Sequence, residues 1–89
     1  MKLRELLCER GKWTEDETIY VVEPWSSDAD ALLSSDSPGT TDPIIQSGKL
    51  YTYFLEGFIA CDLLDDLEAP DDVGEAAVER LIRFAIYDA

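Results

Sequence analysis

Hydrophobic residues fall into two rhythms along this chain. Thr18-Ile19-Tyr20-Val21-Val22 and Leu50-Tyr51-Thr52-Tyr53-Phe54-Leu55 are β-branched or aromatic almost without interruption, which predicts two strands. In the second run Tyr51, Tyr53 and Leu55 share one face, and Leu50, Thr52 and Phe54 the other. Both faces carry bulk, as a central strand requires. Pro24 ends the first strand or marks it as an edge.

Elsewhere the period is helical. Leu3, Leu6 and Leu7 define a short helix over Lys2 to Arg10, with Glu5 and Glu9 on another face and Gly11 just past its end. After Glu56-Gly57, an apolar stripe of Ile59, Ala60, Leu63, Leu64 and Leu67 leaves Asp62, Asp65 and Asp66 pointing away, and Pro70 is the expected stop. A last helix runs from Asp72 or Val73 to Tyr87, with Val78, Leu81, Ile82 and Ala85 facing inward. Asp71 and Asp72 stand at its start, where the helix dipole favours negative charge. The Glu79 to Arg83 spacing permits an ion pair worth about 0.2–0.5 kcal/mol.

Between Trp25 and Gly48 the pattern is interrupted by Ser, Asp, Thr, Pro and Gly. Ala31-Leu32-Leu33 fits a short strand or a helical turn, and the strand is preferred. Ile44-Ile45 follows Asp42-Pro43, an N-cap with proline at the first helical position, so a turn or two of helix closed by Gly48 is expected. Ser34 to Thr41 reads as a mobile loop. The expected fold is α+β: one small domain whose short antiparallel sheet of two to three strands packs against two to three helices. No internal repeat is visible.

Composition narrows the function. The chain has 89 residues, of which 46% are hydrophobic and 30% charged, with nine aromatic side chains, so it folds as a globular domain and not as an acidic tail. The charged start of the chain lacks the apolar run of a secretory signal, and no segment is long and apolar enough to span a bilayer. Cys8 and Cys61 form no C-x-x-C pair. Their spacing allows a disulfide, but two free thiols in a cytoplasmic protein are the reading the compartment argument favours.

Charge is the strongest signal: twenty acids, seven bases and no histidine leave a formal net charge of -13. Such a surface repels nucleic acid and anionic membranes and attracts a basic partner. The missing histidine removes the commonest general base, and without it neither cysteine has an activating partner. There is no phosphate-binding glycine loop or nucleophile elbow, and no cofactor is expected. Paired carboxylates can hydrolyse glycosides, but that needs a cleft such a small domain has little room for. Asp28-Ala29-Asp30 and Asp65-Asp66 lack the spacing of a calcium loop, and zinc loses its best ligand. A non-enzymatic protein without metal follows.

Asp62, Asp65, Asp66, Glu68, Asp71, Asp72, Glu75 and Glu79 form a run of acids with no base before Arg80. Singly, each is an ordinary solvated charge or a capping charge. Together they repel one another at a cost to stability, and the functional reading is a face that steers and pairs with lysines and arginines of a partner. The first seven are the candidate partner-binding residues. Trp13 and Trp25 lie in turn-like segments, where each either packs over one end of the core or anchors an interface.

The strand Leu50 to Leu55, the helix Phe58-Ile59-Ala60-Cys61-Asp62-Leu63-Leu64-Asp65-Asp66-Leu67 and the ending Arg83-Phe84-Ala85-Ile86-Tyr87-Asp88 resemble, in layout and acidity, immunity proteins of bacterial toxin–immunity systems. The resemblance covers residues 50–88 and carries no site motif. It implies a bacterial cytoplasmic binding protein. Taken with the acidic charge, the leading expectation is an immunity-type protein that binds one basic enzyme, of nuclease type, and blocks its active face. The alternatives are a DNA mimic that inhibits nucleic-acid-binding proteins, as phage anti-restriction proteins do, and an accessory domain whose acidity serves solubility. Mimicry predicts acids spaced regularly along an elongated surface and tolerance for several partners.

Overall fold

The structure is a computed structural model and describes residues 1–13, 16–35, 42–70 and 72–87. Its elements run α1 (Leu3–Cys8), a 3₁₀ turn (Arg10–Lys12), β1 (Thr18–Val22), β2 (Ala31–Ser34), β3 (Ile44–Gln46), β4 (Lys49–Glu56), α2 (Gly57–Asp66) and α3 (Glu75–Tyr87). The fold is α+β, as expected. The antiparallel sheet has the order β2-β1-β4-β3 and so one strand more than the two or three anticipated.

The extra strand is β3, which corrects the expected helix at Ile44-Ile45. Ser47 and Gly48 both adopt positive φ, 54° and 75°, the requirement of a two-residue hairpin turn whose twist matches its strands. Gln46 therefore pairs with Lys49, Ile45 with Leu50 and Ile44 with Tyr51. Gly48 serves this hairpin instead of a helix end, and the β-branched isoleucines suit it. The loop expected over Ser34 to Thr41 falls, from residue 36 on, outside the described residues.

A second correction concerns β4. Ile19 pairs with Leu55 but Tyr20 with Tyr53, so Phe54 is an extra residue on β4. This bulge resets the alternation and lets Phe54 and Leu55 both join the core cluster, where simple alternation puts them on opposite faces. Tyr20 and Tyr51 are also buried, but outside that cluster. Tyr20 meets Tyr53 edge-on, with ring centroids 6.3 Å apart.

The core joins every helix to the sheet: Leu3 and Leu7 of α1, Ile19 and Val21 of β1, Phe54 and Leu55 of β4, Leu64 of α2, and Val78 and Leu81 of α3 are all at most 1% exposed. The chain start is laid along β2, where the Leu3 amide donates to the Ala29 carbonyl and the Ala31 amide to Met1. β4 runs into α2 without a loop. Its junction is Gly57, where a Cβ would stand 2.7 Å from the Glu17 carbonyl oxygen, itself the acceptor of the Gly57 amide at 2.8 Å. Only glycine fits that approach.

Both helix boundaries near the acidic run move. α2 ends at Asp66, ahead of Pro70, in a Schellman turn: the Glu68 amide donates to Asp65 and the Ala69 amide to Leu64. α3 begins at Glu75, so Asp72 precedes it and the acid of its first turn is Glu75. No helix of the described residues is long and apolar enough to cross a membrane.

Candidate functional site

Three of the seven predicted residues come together on one surface. Asp62, Asp65 and Asp66 sit three and four residues apart on α2, so they share its outer face, and all three are exposed. Phe58, one turn before Asp62, continues that row and is 50% exposed. No sequence signal singles it out, because Phe58 fits the helix without belonging to its apolar stripe. The apolar stripe of the same helix, with Ala60 and Leu64 fully buried, locks this orientation.

The other four are placed differently. Glu68 is exposed in the turn after α2 with φ 54°. It occupies the left-handed C′ position where glycine is the common choice, and a non-glycine residue there costs about 1 kcal/mol. Asp72 lies in the α2–α3 linker and pairs with Arg4 at 3.5 Å, so it is not an unengaged charge; with its side chain 87% exposed the pair is weak. Glu75 accepts from the Ser27 hydroxyl at 3.5 Å. Asp71 lies outside the described residues.

The linker is held by residues that no local sequence signal singles out. Arg4 donates Nε to the Val73 carbonyl at 2.8 Å. Arg10 donates to the carbonyls of Ala69 at 2.9 Å and Pro70 at 3.3 Å. The Cys8 Sγ accepts the Val73 amide at 3.3 Å. Contacts spanning about sixty residues of sequence have no local signature.

The remaining candidates become structural. Trp25 packs edge-on against Phe54 with centroids 4.9 Å apart, and its indole N–H reaches the Thr52 hydroxyl at 3.2 Å and the Val21 carbonyl at 3.3 Å. Trp13 packs against the core cluster, with its indole nitrogen buried and unpartnered among the described residues. Asp30 forms an ion pair with Lys49; the hydrogen bond from Lys49 holds its carboxyl below the usual range and raises the lysine correspondingly. Both cysteines are free thiols, and burial pushes that of Cys61 up. Among the described residues no group of three or more His, Cys, Asp or Glu side chains is placed to hold a metal ion.

Arg80 and Arg83 of α3 make no ion pair or hydrogen bond among the described residues, and the Glu79–Arg83 pair that the spacing permits is not formed. They border an open cleft of about 420 Å³ between α2 and α3, floored by Leu63, Leu67 and Phe84 with Asp66 on the α2 side. The arrangement is therefore an acidic row with one aromatic on α2, beside an apolar cleft whose far rim is basic. Comparison with known proteins finds no family model that matches the chain, no similar curated protein and no similar solved structure.

Proposed function

We propose that the protein is a non-catalytic, cytoplasmic binding protein that neutralises a basic partner, an immunity protein set against a nuclease-type toxin. The observation that carries this reading is the exposed row Phe58, Asp62, Asp65 and Asp66, whose carboxylates have no cation within ion-pair distance among the described residues. Carboxylates left unpaired in a protein of charge -13 attract lysines and arginines over a long range and speed association. Phe58 supplies the apolar contact that charge lacks, since buried aromatics dominate interface energies. Glu68 and Glu75 add charge at the margins, and the partner's phosphate-binding face is the surface they would cover.

A body of 33 × 25 × 24 Å is compact and offers one short acidic helix face, which favours a single partner over mimicry of a long nucleic-acid duplex. The test is capture from a lysate of the source organism at low salt, with the wild type and Asp65→Lys/Asp66→Lys as parallel baits. The expected result is one stoichiometric basic enzyme, retained by the wild type, released by salt and absent from the reversed bait. Equal retention by both baits would remove the site. Several unrelated DNA-binding proteins would replace immunity by mimicry.

A further inference from the structure

We infer that the α2–α3 cleft is a self-association surface that takes a second copy of this chain across a two-fold axis. A two-fold interface must be complementary to itself, so that whatever one copy offers at a position the other must match at the symmetric one. Most of this molecule cannot meet that condition, because acids outnumber bases twenty to seven. Arg4 and Arg10 are committed to linker carbonyls, Lys12 to Glu9 and Lys49 to Asp30.

The cleft differs. Its α2 rim carries Asp66, with Asp62 one turn earlier on the same face, and its α3 rim carries Arg80 and Arg83. None of these four side chains has an ion-pair partner among the described residues. Acids on one rim and bases on the other become opposed pairs when a second copy is turned through the two-fold axis.

Apolar surface supplies the driving force. Leu63, Leu67 and Phe84 floor the cleft only half-buried, and Tyr87, which also lines it at the end of α3, is 79% exposed. Large apolar residues left open around a cleft are what association covers. Two bodies of charge -13 repel at long range, but salt at about 0.15 M limits that repulsion to about 8 Å and spares pairs in contact. The dimer therefore strengthens as salt rises from low to physiological levels, whereas capture of a basic partner weakens. The inference does not rest on that partner, although both use Asp62 and Asp66, so a partner on α2 competes with the second copy.

Sedimentation of the wild-type chain from micromolar to millimolar concentration, at low and at physiological salt, reads the association directly. The expected result is a monomer–dimer equilibrium favoured by salt. Arg80→Glu/Arg83→Glu and Asp62→Lys/Asp66→Lys should each weaken it at least tenfold by opposing like charges. Mixing the two variants should restore a dimer of one copy of each, because both symmetric contact sets then pair opposite signs. A restored mixed dimer also shows that both variants are folded. A wild type that stays monomeric at millimolar concentration, variants that dimerise as well as the wild type, or a mixture that stays monomeric would each overturn the inference.

Discussion

Two pairs of arginines serve the α2–α3 unit in opposite ways. Arg4 and Arg10 reach across from the N-terminal segment and donate to the carbonyls of Val73, Ala69 and Pro70. Arg80 and Arg83 stand on the rim of the cleft with no partner among the described residues. The chain has twenty acids for them to pair with, yet the first pair spends its donors mainly on backbone. The reason is geometric. A linker that is neither helix nor sheet leaves carbonyls without ladder partners, and a planar guanidinium with five donors can satisfy several at once. Arg4 and Arg10 are structural because irregular backbone lies within their reach.

The largest expected effect comes from breaking the first pair. Arg4→Met/Arg10→Met keeps much of the side-chain bulk but removes the guanidinium donors, and hydrogen bonds from charged groups are worth about 1.5–3 kcal/mol each. The Arg4 side chain is 46% exposed, and water partly replaces lost donors there, so the double variant should lose about 2–4 kcal/mol in urea unfolding. For a domain this small that is a large share of its stability. Arg80→Met/Arg83→Met should change the unfolding free energy by less than about 0.5 kcal/mol. Equal losses in the two double variants would erase the distinction.

The same clamp contains a softer contact. The Val73 amide, on a fully buried residue, donates to the Cys8 sulfur at 3.3 Å. Cys8→Ala leaves that amide without its acceptor, at a cost of about 1 kcal/mol, and Cys8→Ser should recover most of it because a hydroxyl oxygen also accepts. Hydrogen exchange at Val73 checks this residue by residue. Protection should fall in Cys8→Ala and return in Cys8→Ser; unchanged protection in both would take the thiol out of the clamp.

What was legible in the sequence follows the range of the interactions involved. β1 and β4 announce themselves by unbroken β-branched and aromatic runs, because both of their faces are covered, and α2 and α3 by a helical period, because one face of each is buried. The outward row Asp62, Asp65 and Asp66 followed from the same period. At Ile44-Ile45 local signals conflicted: Asp42-Pro43 and Gly48 fit a helix, and the Ser47-Gly48 turn fits a hairpin as well. The pairing with β4 decided it, and that pairing is tertiary. The bulge at Phe54 is likewise invisible within β4, since it exists only in register with β1. The Arg4 and Arg10 contacts have no sequence period at all.

The smallest expected effect sets a titrating pair against the clamp. Asp30 and Lys49 are joined across the sheet by an ion pair at the surface. The hydrogen bond from Lys49, reinforced by the charges of Lys49 and Lys2, holds the Asp30 carboxyl below 3.8 in the folded chain. On acidification the unfolded chain therefore takes up this proton first, and the pair's contribution is lost as pH falls through the folded value. Lys49 is shifted upward, first by the hydrogen bond to Asp30, so the contribution fades again as pH rises beyond its ordinary 10.5. The destabilisation in Asp30→Asn should thus be constant between those limits and shrink toward zero in acid. Arg10→Met should show no such profile, because guanidinium stays charged and its acceptors are carbonyls. Urea midpoints of the wild type and both variants from neutral pH down to acid separate the two. A loss in Asp30→Asn that persists in acid would mean that its cost is steric and that the pair contributes nothing.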